Sequence, residues 1–360
     1  MLINGYFLAL LLACALLLPS ACRETKNLRI GSFLVASILI LLVGLRADTT
    51  DYGNYFSHFE SLSQAPNLSE AFSRYRDGGH GVIIYLLSLL SSSPLIYFLF
   101  YATASIGIYF YVYSKTAAYA LFPWLIFITN GNLFQNMAQM RQGLVTAFFL
   151  LGAYLLYRNR TVLWASLITI STTIQPSAIA TFAALAVKRI NSGIILYTFL
   201  VIALLASLAG GAGEILLAPL IPYLDDLMGD IQRRYDGLEE RTLTLHFVHV
   251  GFIISFLFVW FRHKIRAKNS FAYFLIPMHV FGSAVEVAFR DVGRIGGRVG
   301  DTFTYGAEPI IWAALIAAAP TLCRMPLVLL IGSWFIYKFV NTNLLGDPST
   351  YTFFFISDYY

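Results

Sequence analysis

The sequence predicts an all-α, polytopic integral membrane protein, a single membrane domain over residues 1–360, and three observations carry that prediction. Hydrophobic residues make up 58% of the chain and charged residues 12%, about half the charged share of a soluble domain. The apolar residues fall in blocks of roughly 18–20 along the whole length, enough helix to cross a hydrocarbon core of about 30 Å. Within the blocks there is no two-residue alternation of the barrel kind. Only helices and closed barrels satisfy the backbone in lipid, so helices remain.

Taken in order, the first block runs from Tyr6 to Leu18 with no basic residue ahead of it, so it reads as a span rather than a signal peptide. About ten spans are expected, near 4–21, 28–46, 93–114, 117–134, 136–157, 190–209, 244–261, 269–289, 302–320 and 325–342. Residues 80–92 would give only about 20 Å of helix and read as re-entrant. Residues 161–187 are interrupted by Gln175-Pro176, where proline removes a donor and disfavours helix just before it; they read as a hairpin. Cys14, Cys22 and Cys323 lie in or beside apolar blocks, which argues against a disulfide framework.

Charge orients the bundle. With the N-terminus outside, the inner loops collect basic residues such as Arg158, Arg160, Lys264 and Arg266, with Glu24 as their one acid, as the positive-inside rule requires. Residues 47–79, 210–243 and 290–301 and the start of the helix bearing Arg141 then share the outer face. No Walker A or glycine-rich nucleotide motif occurs, and energising nucleotides are absent outside the cytoplasm. A substrate must therefore arrive already activated, as on a lipid. Nothing points to a nucleic-acid partner, a cofactor or a metal site.

Arg141 is the most informative residue. It lies in the apolar stretch from Met137 to Leu156, where a buried arginine costs roughly 2.5–3.5 kcal/mol near the membrane centre and is usually kept for a partner, a pore or an anion. A snorkelling interface cap is one reading; a phosphate or pyrophosphate clamp, suited to a planar permanent cation, is the other. Gln135, Gln139 and Gln142 would fall on one face of a continuous helix beside it. After the second span, Arg46 to Asp51 carries two carboxylates three apart, Asp48 and Asp51. They would share a face if the helix continued, and one could serve as a base; a solvated, capped helix end is the alternative. Tyr52 and Tyr55 follow, either as an interfacial belt or to stack on sugar rings.

The segment Arg290 to Asp301 holds three arginines, Arg290, Arg294 and Arg298, among glycines. It suits a polyanion or a salt-bridged connector, with Glu286 as ion-pair partner of Arg290. Gln175-Pro176 either kinks a helix or lines a site. His80 opens the short stretch and could titrate near neutrality. Residues 210–243 are amphipathic and read as a lid over the site or a plain connector.

The run Gly44-Leu45-Arg46-Ala47-Asp48-Thr49-Thr50-Asp51-Tyr52-Gly53-Asn54-Tyr55, the run Met140-Arg141-Gln142-Gly143-Leu144-Val145-Thr146-Ala147, and Arg298-Val299-Gly300-Asp301-Thr302-Phe303 resemble the EpsG/Wzy-type polysaccharide polymerases. The likeness in layout covers nearly the whole chain. Gln175 stands where such proteins are expected to carry a histidine before the Ser-Ala pair, and His80 where an acid is common. The resemblance implies a glycosyltransferase of the bacterial inner membrane that joins undecaprenyl-diphosphate-linked oligosaccharides at the extracytoplasmic face. A hydroxyl of one unit attacks the anomeric carbon of the other, and lipid diphosphate leaves. A flippase and a chain-length regulator would be partners in the pathway. In that scheme Arg141 and Arg298 clamp the diphosphate with help from Arg46 or Arg294, Asp51 or Asp48 is the base, and Gln139, Gln142, Gln175, His80, Tyr52 and Tyr55 line the site. A transferase of single sugars from a polyprenyl phosphate and a transporter of lipid-linked oligosaccharide are the alternatives.

Overall fold

The computed structural model describes residues 5–21, 26–47, 51–75, 77–117, 119–209, 211–212, 245–289, 293–341 and 352–353. Asp48, residues 210 and 213–243 of the expected lid, and Arg290 lie outside them, and with Arg290 the expected pairing to Glu286. The described chain is an all-α polytopic membrane protein. Four of its helices are long and apolar enough to cross a membrane: α6 (Leu95–Thr116), α9 (Met140–Tyr157), α14 (Ser270–Ala288) and α16 (Thr321–Phe339). Around them stand α1 (Gly5–Leu17), α2 (Lys26–Gly44), α10 (Thr161–Ile174), α12 (Gly193–Leu208), α13 (Leu245–Lys268) and α15 (Gly293–Ala318).

The centre is α9, which packs against α6, α10 and α15; α14 lies along α15, and α2 along α6. The outward surfaces are apolar. Ile30, Phe33, Leu34, Ile38 and Leu41 of α2 and Leu322 and Leu330 of α16 are exposed, as lipid rather than water as solvent dictates.

Several expectations are corrected. The span expected at 117–134 is two short helices, α7 (Phe122–Thr129) and α8 (Asn132–Ala138). Gly131 separates them at φ 109°, a left-handed conformation that favours glycine. A Cβ there would also press on the Tyr305 ring. The chain breaks again at Gln139, so Gln135 on α8 and Gln142 on α9 do not share one continuous helix face. The second span ends at Gly44 and passes into a two-residue strand, β1 (Arg46–Ala47). This strand pairs antiparallel with β2 (Thr352–Phe353), so the second span does not continue as helix toward Asp51, which is the N-cap of the next helix. Residues 293–301 are not a loop but the first turns of α15.

The described part of the segment expected on the outer face is largely helical, with α3 (Tyr52–Ser63) and α4 (Leu68–Arg74) leading into the short α5 (Gly78–Ser88). Gly79 and Gly81 permit α5 to lie this close. A Cβ at Gly79 would overlap Thr173 of α10, and one at Gly81 would overlap the Ala71 carbonyl of α4. The expected break at Gln175 is present: α10 ends at Ile174, Gln175 is extended, and a 3₁₀ segment, Pro176–Phe182, carries the chain to α11 (Ala183–Val187).

Candidate functional site

Two arginine side chains, Arg141 and Arg46, and the backbone carbonyl of Arg298 meet at the first turn of α9. Arg141 pairs with Asp77, and both side chains are largely buried, at 19% and 11% exposure. Its guanidinium carbon stands 5.6 Å from the centre of the Tyr75 ring. The Arg141 Nε is buried and has no hydrogen-bond partner. On one side of Arg141 in sequence, the Met140 sulfur accepts a hydrogen bond from Arg46 Nη2 at 2.9 Å. On the other, Gln142 donates to the Arg298 carbonyl at 2.9 Å and to Thr302 Oγ1 at 2.7 Å.

These arginines differ in exposure. Arg46 is fully buried; Nη1 donates to the Val43 carbonyl at 2.8 Å, and its guanidinium carbon lies 4.8 Å from the Phe98 ring centre. These contacts tie Arg46 to the end of the second helix and to the first residue of α9. Arg298 is exposed. Arg294 falls in the first turn of α15, and its backbone alone is described.

Asp77 is the N-cap residue of α5, yet its side chain makes no capping hydrogen bond. An aspartate at that position ordinarily accepts from an N–H of the first turn; here the carboxylate is turned to Arg141. Asp51 is likewise an N-cap, of α3, without a side-chain cap bond, and is half-buried.

Beside the ion pair lies a cluster of rings. His80 is fully buried, hydrogen-bonded at Nδ1 to Tyr101 Oη (2.8 Å) and at Nε2 to Tyr97 Oη (3.2 Å). It is enclosed by the rings of Tyr75, Tyr97 and Tyr101. Tyr75 packs on it at 5.2 Å between ring centres, and His58 stands 4.7 Å from Tyr75. Tyr52 stacks on Phe98 at 5.0 Å and Tyr55 is buried. Burial raises the Tyr55 hydroxyl above its usual range, partly opposed by the Arg141 charge. Burial lowers His58 below its usual value, with the Arg141 charge acting in the same direction and Asp51 and Asp77 opposing it. The half-buried rim is therefore Asp51, His58, Tyr75, Asp77, Gln139 and Arg141.

Gln175 and Ser177, just past the break, donate to Gln142 Oε1 at 3.3 and 3.4 Å, so the broken segment is tied to the arginine turn. Behind it runs a deeper polar network. Thr146 donates to Gln135, and Gln135 reaches Asp301 at 3.4 Å. Asn130 donates to Glu308 at 3.1 Å, Glu308 meets His279 Nε2 at 3.3 Å, and Ser255 meets His279 Nδ1 at 3.0 Å. No metal-holding group of three or more His, Cys, Asp or Glu residues occurs among the described residues.

The arrangement can hold an anion against Arg141, with aromatic and imidazole faces beside it and carboxylates on the same rim. Sequence reading missed His58, Tyr75 and Asp77. The signal for Asp77 was local, since Asp-Gly-Gly-His opens a helix too short to span. Its pairing with a residue 64 positions away leaves no trace in either stretch.

Comparisons with known proteins bear on this geometry. The EpsG family model matches residues 30–356. Amylovoran biosynthesis protein AmsC of Erwinia amylovora is 25% identical over 307 residues, covering 81% of this chain and 80% of that protein. No solved structure matches.

Proposed function

The chain belongs to the EpsG family, and from that premise we propose that it is a polysaccharide polymerase acting on lipid-linked oligosaccharides. The similar AmsC protein carries the description of an amylovoran biosynthesis protein, which supports a role in polysaccharide biosynthesis. The finer reading is that repeat units borne on undecaprenyl diphosphate are joined at the extracytoplasmic face of the bacterial inner membrane. An acceptor hydroxyl oxygen bonds to the anomeric carbon of the donor chain. The bond from that carbon to the diphosphate oxygen breaks, and the lipid diphosphate leaves with the electron pair.

The observation that carries this reading is Arg141 at the head of an apolar helix, largely but not fully buried, with an unbonded Nε and a carboxylate partner. A fixed guanidinium stabilises the charge developing on the diphosphate, and such electrostatic help is often the largest contribution in a dry site. Arg298, exposed one contact away through Gln142, is the second proposed clamp residue; Arg46 positions the turn. Asp51 accepts the hydroxyl proton, a role worth about 10²–10⁴-fold for a well-placed base. His58, whose imidazole pKa burial lowers, and Tyr75 offer ring faces to the sugar.

The test is gel analysis of surface glycan in a deletion strain complemented with wild type, Arg141→Ala or Arg298→Ala at matched expression. Single repeat units in the deletion, a ladder with wild type and loss of the ladder in both variants are expected. Full ladders from both variants would remove the clamp. A truncated repeat unit in the deletion would replace the polymerase reading with single-sugar transfer.

A further inference from the structure

We propose that Asp77 is an internal stand-in for the diphosphate: it occupies Arg141 between turnovers, gives way when the lipid diphosphate binds, and returns to help expel it as product. The inference rests on the diphosphate reading of Arg141 above.

Three observations carry it. The carboxylate has forgone its local role. Asp77 sits at the N-cap of α5, where a carboxylate satisfies an orphan N–H and favours the helix dipole, but it makes no such bond and pairs with Arg141 instead. The cap is a nearby alternative partner, so leaving Arg141 does not strand the carboxylate. Next, the pair is accessible, with both side chains partly exposed, unlike Arg46, which is sealed. Finally, Asp77 does not saturate the guanidinium. Its Nη1 is engaged while the buried Nε has no hydrogen-bond partner, which leaves a donor for an anion that presents more than one oxygen.

The physical logic is charge conservation at a desolvated site. An arginine within an apolar bundle is expensive without a counter-charge, so an empty site needs a resident anion. A diphosphate carries more charge and more oxygens than one carboxylate and matches the guanidinium fork better. It therefore wins when present, but by a margin that Asp77 narrows. The same competition shortens the stay of the leaving lipid diphosphate. Asp77 is in this sense a positioning residue, acting through Arg141 and not on the sugar.

The sign of one change distinguishes this from a plain structural prop. Full-length protein in lipid nanodiscs is titrated with undecaprenyl diphosphate, and binding is scored per folded molecule from the monodisperse fraction. Asp77→Asn should bind about three- to tenfold tighter, because a competing carboxylate is removed without loss of shape. In polymer formation from the lipid-linked repeat unit of a deletion strain, its KM and kcat should fall together as product is retained. Asp77→Glu should restore both toward wild type. Unchanged or weaker binding by Asp77→Asn, with Arg141→Ala weakened, would overturn the stand-in and leave the clamp in place. Unchanged binding by Arg141→Ala would overturn the clamp itself, and the stand-in with it.

Discussion

Arg46 and Met140, 94 positions apart, are joined by a hydrogen bond of 2.9 Å from guanidinium to thioether. The contact fixes the residue just before Arg141 to the end of the second helix, and Arg46 spends its other amino group on the Val43 carbonyl. Arg46→Ala should therefore act on folding. It removes a fully buried side chain and should cost about 2–5 kcal/mol, the range for large core truncations. Thermal unfolding of detergent-purified protein reads this. Diphosphate affinity per folded molecule should change little, in contrast to Arg141→Ala.

Gln142 donates to the Arg298 carbonyl and Thr302 and accepts from Gln175 and Ser177. Gln142→Leu leaves several buried groups unpaired and should cost about 1–3 kcal/mol. Gln142→Glu removes the donor that meets the Arg298 carbonyl and should be nearly as harmful. Equal midpoints for Gln142→Leu and wild type would show that the network carries no stability.

Gly79 lies where a Cβ would overlap Thr173, with the Thr173 backbone also in reach. Gly79→Ala should push α5 off α10 and move Asp77 from Arg141. The expected outcome is a shortened or lost glycan ladder at wild-type expression, scored by gel, with a larger defect in Gly79→Val.

His58 supplies a pH dependence. Its folded value is depressed, first by burial and then by Arg141, so below its ordinary value of about 6.5 the unfolded chain binds the proton more readily. Stability is therefore intact above that value and declines as pH falls below it toward the folded value. His58→Gln should flatten that decline in the thermal midpoint. Its half-exposed position, facing Arg141, Asp51 and Asp77, keeps the effect modest.

The membrane class was legible because lipid demands long apolar helices, and the break at Gln175-Pro176 because proline lacks an N–H. That Arg141 needs a counter-charge was legible because charge in an apolar run is expensive, and the structure supplies Asp77. The breaks at Gly131 and Gln139 were not. Gly131 is one glycine in an apolar run, and nothing local says that its backbone turns left-handed against Tyr305. Asp77 and His58 were passed over for a related reason. A polar residue in a polar segment between spans is unremarkable until the fold brings it against an arginine from another helix. Glu308 has the opposite history: an acid in an apolar helix, its partners Asn130 and His279 lie on elements too distant in sequence to pair by inspection.

The divided segment formed by α7 and α8 has a consequence for biogenesis. Helices of 8 and 7 residues are too short to enter a bilayer as independent spans. Yet their side chains are almost wholly buried, and their polar ends are satisfied by residues made much later. Asn130 meets Glu308, 178 positions on, and Asn132 meets the Tyr305 carbonyl, 173 positions on. At about 5–20 residues per second of synthesis, the ribosome needs roughly 9–36 s to supply those partners. For that interval residues 122–138 must wait at the translocon or the interface, and the arginine turn that follows them cannot take its final place until α15 arrives.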